Sequence, residues 1–167
     1  MTLPRIVLVA GGRGRSAPTS WPHADQVVGT AGRDGSWFGW RLLAANNREL
    51  GRSPRVHAAL SECQQAALSM VTDFEALTTV VSADSARGLW RWRLDGADRA
   101  VAVSSRLYLR QRECVYSLRQ FLQAAPSAVI FDDPDPAAVV VDLTGEEPVL
   151  RYGPRSDAMT CGPGASR

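Results

Sequence analysis

Trp37-Phe38-Gly39-Trp40-Arg41-Leu42 returns as Leu89-Trp90-Arg91-Trp92-Arg93-Leu94, and that echo decides the fold. Downstream, Ser53-Pro54-Arg55 is answered by Ser104-Ser105-Arg106, and Glu62-Cys63 by Glu113-Cys114. Trp40 and Trp92 stand 52 positions apart and Cys63 and Cys114 stand 51 apart, so one single-residue gap aligns both ends. A repeat of about 50 residues is one supersecondary unit that buries its apolar face against its twin.

Working outward, each copy reads as three strands and a helix. In the first, Gln26–Ala31, Ser36–Ala44 and Glu49–Arg52 are strands, with Asn46-Asn47 as a tight turn because Asn tolerates positive φ. A helix covers Leu60–Asp73, carried by the apolar spacing of Leu60, Cys63, Ala67, Leu68 and Val71, with Ser61 as a local cap. In the second, Leu77–Ala83, Leu89–Leu94 and Arg99–Ser104 are strands, and a helix runs from Arg110 to Ala125. Its stripe of Cys114, Leu118, Phe121 and Leu122 follows i, i+4, i+7 and i+8. The expected fold is α+β: two tandem β-β-β-α repeats related by a pseudo-twofold, an antiparallel sheet with both helices on one face, plus a C-terminal strand or hairpin. The division is 1–23 as an N-terminal extension with one strand at Arg5–Ala10, 24–125 as the repeat domain (24–75 and 76–125), and 126–167 as an acidic extension. Within that extension Ala137–Leu143 reads as a strand, its continuous apolar run suggesting burial on both faces.

Strand alternation sorts residues onto two faces. Phe38, Trp40 and Leu42 share one face, as do Trp90, Trp92 and Leu94. With Cys63 and Cys114 from the helices they form the expected core, since large aromatics at strand period supply core area. Arg41, Arg91 and Arg93 then fall on the other face, with Arg52, Arg55 and Arg106 near the ends of the third strands.

These residues resemble a known family, the YegP-like small bacterial proteins of unknown function. The resemblance lies in Trp40-Arg41-Leu42 and Trp92-Arg93-Leu94, the turns Ala45-Asn46-Asn47 and Gly96-Ala97-Asp98, and the stretches Ser53 to His57 and Ser104 to Tyr108. It covers about residues 25–125 and implies the tandem β-β-β-α fold without implying an activity. Asn46-Asn47 departs from the usual Asn-Gly turn, and His57 replaces the aromatic that Tyr108 keeps.

Bulk properties narrow the function. The 167 residues are 45% hydrophobic with a net charge of +2, enough apolar content for a core and too little charge to name a partner. All nineteen basic residues are Arg; residues 24–125 carry thirteen of them against ten acids, while residues 126–167 carry three against seven. Three Cys and two His give no disulfide framework and no metal-ligand spacing, so no metal is expected. Gly11-Gly12-Arg13-Gly14-Arg15-Ser16 lacks the Gly-Lys-Ser/Thr ending of a phosphate loop, and no cofactor is expected. No apolar run reaches the ~20 residues of a membrane span, and the N-terminal run is too short for a signal-peptide core, so a cytoplasmic location is expected.

No catalytic constellation is legible. Glu62 and Glu113 read as solvent-facing carboxylates or ion-pair partners of Arg55 and Arg106, and His57 is a lone imidazole with no obvious nucleophile, Cys63 lying six residues on across a strand–helix junction. The expectation is a non-catalytic protein-interaction module that takes an unidentified protein partner or a second copy of itself. The alternative is nucleic-acid binding through a basic face of Arg41, Arg91 and Arg93, extended by Arg52, Arg55 and Arg106.

Overall fold

A computed structural model of the chain describes residues 3–11, 33 and 35–134. The elements in order are β1 (Arg5–Gly11), β2 (Trp37–Leu43), β3 (Glu49–Arg52), α1 (Leu60–Thr72), β4 (Thr78–Ala83), β5 (Trp90–Asp95), β6 (Ala100–Ser104), α2 (Gln111–Ala124) and β7 (Val129–Pro134). Single 3₁₀ turns, Phe74–Ala76 and Ala125–Ser127, close the two helices. The seven strands form one sheet in the order β4-β5-β6-β3-β2-β1-β7, antiparallel throughout except for β7, which runs parallel to β1.

The fold is therefore the α+β arrangement expected, and strand–strand–strand–helix occurs twice. The first unit differs from the sequence reading in its first strand. Position for position, the neighbour of β2 is β1, with Ile6 opposite Leu42 and Leu8 opposite Trp40. The strand read as lying in an extension is thus integral to the sheet, and Gln26–Ala31 lies outside the described residues. The expected strand Ala137–Leu143 also lies outside them; the C-terminal strand that the structure does show is β7, beside β1.

Registers in the two units correspond. Arg41 faces Arg52 and Leu42 faces Gly51, as Arg93 faces Val103 and Leu94 faces Ala102. Each ladder then shifts by one residue, with Leu50 or Val101 as the extra residue of a β-bulge. Each unit carries the same isolated bridge beyond the third strand, Phe38 to His57 and Trp90 to Tyr108. The units join where β3 pairs with β6. There Arg52 faces Val103, two equivalent positions paired with each other, as a twofold relation requires.

Both helices lie on the face expected. Trp40 and Trp92 are each 1% exposed, Cys63 and Cys114 fully buried, and all four share one core with Leu42, Leu94 and residues from both helices. Phe38 and Trp90 are half-buried against its edge. The cause is the alternation of the strands against the 3.6-residue stripes of the helices. Trp92 packs on Phe121 with ring centroids 4.8 Å apart and planes tilted by 55°. That contact explains Gly51: a Cβ there would come within 2.6–2.7 Å of the Phe121 and Trp92 rings. In the first unit the position of Phe121 is held by Met70, also buried. Ser61 does not cap α1; the helix starts after Ala59 without a side-chain cap hydrogen bond.

The face away from the helices is not uniformly polar. Val7, Val9 and Trp37 point there by strand parity and are buried, and the indole of Trp37 lies across Gly11, where no Cβ would fit.

Candidate functional site

Arg41, Arg91 and Arg93 do share the outer sheet face, and Arg52 joins them by its pairing with Arg41. They are not a free basic patch. Glu49 Oε1 accepts a hydrogen bond from Arg52 Nε at 2.6 Å, and Glu49 Oε2 lies 3.8 Å from Arg41 Nε. Arg93 Nε donates to Asp95 Oδ2 at 3.0 Å. The bulge at Leu50 explains the first cluster. In an unbroken ladder Leu43 would face Leu50 and Glu49 would fall on the core side; the shift sets Glu49 opposite Leu43, on the arginine face. Burial pushes the Arg52 guanidinium below its ordinary pKa, Glu49 opposes that shift, and the group stays charged at neutral pH.

Arg55 and Arg106 leave this face altogether. After Ser53 and Ser104 the chain departs from the strands and returns through the bridges at His57 and Tyr108, carrying both arginines to the helix side. There the structure holds two equivalent clefts. One, of about 590 Å³, is lined by Arg55, His57, Ser61 and Glu62 of the first unit and by Arg99 of the second. The other, of about 560 Å³, is lined by Arg106, Tyr108, Arg112 and Glu113 of the second unit and by Arg48 of the first. Every pair here is related by the same 51-residue spacing, Arg48 with Arg99 included. Each cleft is thus built across the junction of the two units. The sequence reading missed Arg48 and Arg99, although the repeat spacing applied to Arg48 leads straight to Arg99.

The cleft walls share two arginines and a glutamate and differ where Ser61 is answered by Arg112, and the floors are unlike. In the second, Ser117 Oγ accepts a hydrogen bond from Trp92 Nε1 at 3.2 Å and is 2.6 Å from Tyr108 Oη, so one hydroxyl ties two aromatics together. The Arg106 guanidinium lies over the Tyr108 ring, 5.2 Å from its centroid. In the first, Ala66 stands where Ser117 would be and His57 where Tyr108 would be. Ala66 has no hydroxyl to offer, and His57 Nε2 is buried with no hydrogen-bond partner. Burial lowers the His57 pKa from 6.5; Glu62 acts to raise it, and Arg55 and Arg99 to lower it. All three charged groups line the same cleft as the imidazole.

The remaining candidates are placed as follows. Glu113 pairs with Arg110 at 3.9 Å rather than with Arg106. Cys63 and Cys114 are core thiols whose pKa values burial pushes up to about 12 and about 11, so neither supplies a thiolate near neutral pH. Among the described residues no group of three or more His, Cys, Asp or Glu could hold a metal ion. No helix among them is long and apolar enough to cross a membrane.

Among the described residues the sheet ends in two unlike edges. The β7 segment runs Val129-Ile130-Phe131 into Asp132-Asp133-Pro134. The β4 segment is Thr78-Thr79-Val80-Val81-Ser82-Ala83, with neither a charge nor a proline. Among the described residues β4 pairs only with β5.

No protein-family model matches the chain, and no curated protein matches it in sequence. Among solved structures it is similar to the UPF0339 protein of Shewanella oneidensis, at 14% identity and a TM-score of 0.53, over 78% of this chain and 90% of that one. It is also similar to YegP of E. coli, a protein of unknown function, at 14% identity and a TM-score of 0.47, over 61% of this chain and 85% of that one. The Shewanella likeness shows a shared fold, the one that the sequence resemblance implied.

Proposed function

We propose that the chain is a non-catalytic, cytoplasmic protein-interaction module that meets its partner by strand addition at the side of β4 that no described strand pairs with. The observation that carries this reading is the edge itself: six residues, rich in β-branched side chains, with no charge, proline or bulge to discourage pairing. Native sheets usually protect such edges, and β7 carries Asp132, Asp133 and Pro134 at its corresponding place. The partner is an extended protein segment, from another protein or from a second copy of this chain. The non-catalytic part of the reading draws on the buried, protonated thiols and on His57 Nε2 having no hydroxyl or thiol hydrogen-bonded to it among the described residues.

The test is the double substitution Val80→Glu and Ser82→Glu. Both sites share the outer face and lie opposite Arg93 and Arg91, so the new carboxylates gain cross-strand partners while charging the edge. Sedimentation velocity over rising concentration measures self-association, and affinity capture of a cytoplasmic extract with each form measures other partners. The wild type should associate or capture a protein that the double variant loses. Identical behaviour of the two forms would contradict strand addition at β4.

A further inference from the structure

The floor of the first cleft lacks a hydroxyl that its twin has, while its walls hold two arginines that make no ion pair among the described residues. Neither Arg55 nor Arg99 makes an ion pair among the described residues, whereas Arg41, Arg52, Arg93 and Arg110 all do. With His57 neutral, Arg55 and Arg99 against Glu62 leave the cleft with one net positive charge. Two forked guanidinia over one cleft suit a carboxylate or phosphate. In the same cleft His57 Nε2 is buried and unpartnered, an unfavourable state when nothing fills it. A hydroxyl satisfies that nitrogen in either neutral tautomer, since it both donates and accepts. Glu62, Ser61 and Gln65, from the first turns of α1, line the same wall and suit further hydroxyls. The volume of about 590 Å³ falls in the usual range for small-molecule sites.

We propose that the cleft between Arg55, His57, Glu62 and Arg99 binds a small polyhydroxylated anion, either a sugar phosphate or a sugar acid. The anionic group sits between Arg55 and Arg99, one hydroxyl reaches His57 Nε2 in the place that Ser117 Oγ fills in the twin, and Glu62 accepts from another. The second cleft is the internal contrast. Ser117 already satisfies Tyr108 and Trp92 there, so no guest hydroxyl is needed. This site is independent of the β4 edge, and either proposal stands if the other fails.

The test is an NMR titration of the isotope-labelled full chain with glucose 6-phosphate, glucuronate, glucose and inorganic phosphate, one at a time. The readouts are the His57 imidazole and Trp40 indole resonances, because Trp40 lines this cleft and Trp92 does not line the other. Glucose 6-phosphate or glucuronate should give saturable shifts, and whichever binds tighter identifies the source of the anion. Glucose and phosphate alone should bind at least about tenfold more weakly, a difference of about 1.4 kcal/mol. Ala66→Ser, which supplies the hydroxyl of the twin, should abolish the shifts. Arg55→Gln with Arg99→Gln, both away from the core, should weaken binding at least about tenfold. The proposal is overturned by silence with all four compounds, by inorganic phosphate matching the sugars, or by full binding in the Arg double variant. If Ala66→Ser does not fold, His57→Phe takes its place with the same expected loss.

Discussion

The two units of this chain share their strand order, their bulges and the arginines and glutamate of their cleft walls, and they part company at three positions beside Trp40 and Trp92. The second unit stacks Trp92 on Phe121 and bridges Trp92 and Tyr108 through Ser117. The first has Trp40, Met70, Ala66 and His57 at the same places, with methionine in place of the stacked ring and no hydroxyl for the bridge. The difference separates two roles of one architecture. The second unit satisfies its own polar groups and is built for rigidity. The first leaves the buried His57 Nε2 without a partner in a cleft that Arg55 and Arg99 also line, and such an unmet group calls for an explanation.

The largest effects should come from the aromatic anchors. Trp92→Ala should cost about 3–5 kcal/mol in urea melts, as other buried aromatic truncations do. Trp40→Ala should cost somewhat less, because an aromatic pair contributes about 0.5–1.5 kcal/mol beyond area and only Trp92 has one. A larger loss at Trp40 would reverse the comparison. Next comes the seam. Gly51→Ala drives a methyl into the Phe121 and Trp92 rings and should cost about 1–3 kcal/mol, the usual range for overpacking. Its equivalent, Ala102, already carries that methyl, so the strain arises from Phe121 standing where the first unit has Met70. Phe121→Met should therefore relieve most of the Gly51→Ala loss, read as a double-mutant cycle.

The smallest effect is the pH response of the first unit. Burial lowers the His57 pKa below 6.5, so the folded state binds fewer protons than the unfolded chain just under that value. Stability is then full above pH 6.5 and falls as the pH drops from there through the folded pKa, at no more than about 1.4 kcal/mol per pH unit. Melts from pH 8 to 5 should show this slope, and His57→Gln should flatten it. Tyr108→Phe keeps His57 in place and should leave the slope intact.

The comparison also explains what could be read in advance. Trp40 and Trp92 alternate with arginines, and Cys114, Leu118 and Phe121 keep helical spacing, so the core and both helices are written locally. The helix bounds fall within a residue or two of the pattern. The place of β1 is not written locally. Its pairing with β2 spans residues 12–36, and the nearer stretch Gln26–Ala31 carries the same kind of strand signal. The outer arginines were assigned the correct face, but the bulge at Leu50 turns Glu49 toward Arg41 and Arg52, and a one-residue register shift leaves no mark in composition. The clefts depend on Arg48 and Arg99 crossing the junction between units, a relation that only the 51-residue spacing hints at.

The equivalence of the two units with unlike floors is tested most directly by exchanging their floors. Ser117→Ala and Ala66→Ser are measured side by side in urea melts. Ser117→Ala leaves Trp92 Nε1 and Tyr108 Oη without their shared partner and should lose about 1–3 kcal/mol. Ala66→Ser offers a hydroxyl to His57 Nε2 and should leave stability unchanged or raise it. Opposite signs would bear out the account. Equal losses from both substitutions would contradict it, because position 66 would then not be the place where the first unit lacks a hydroxyl.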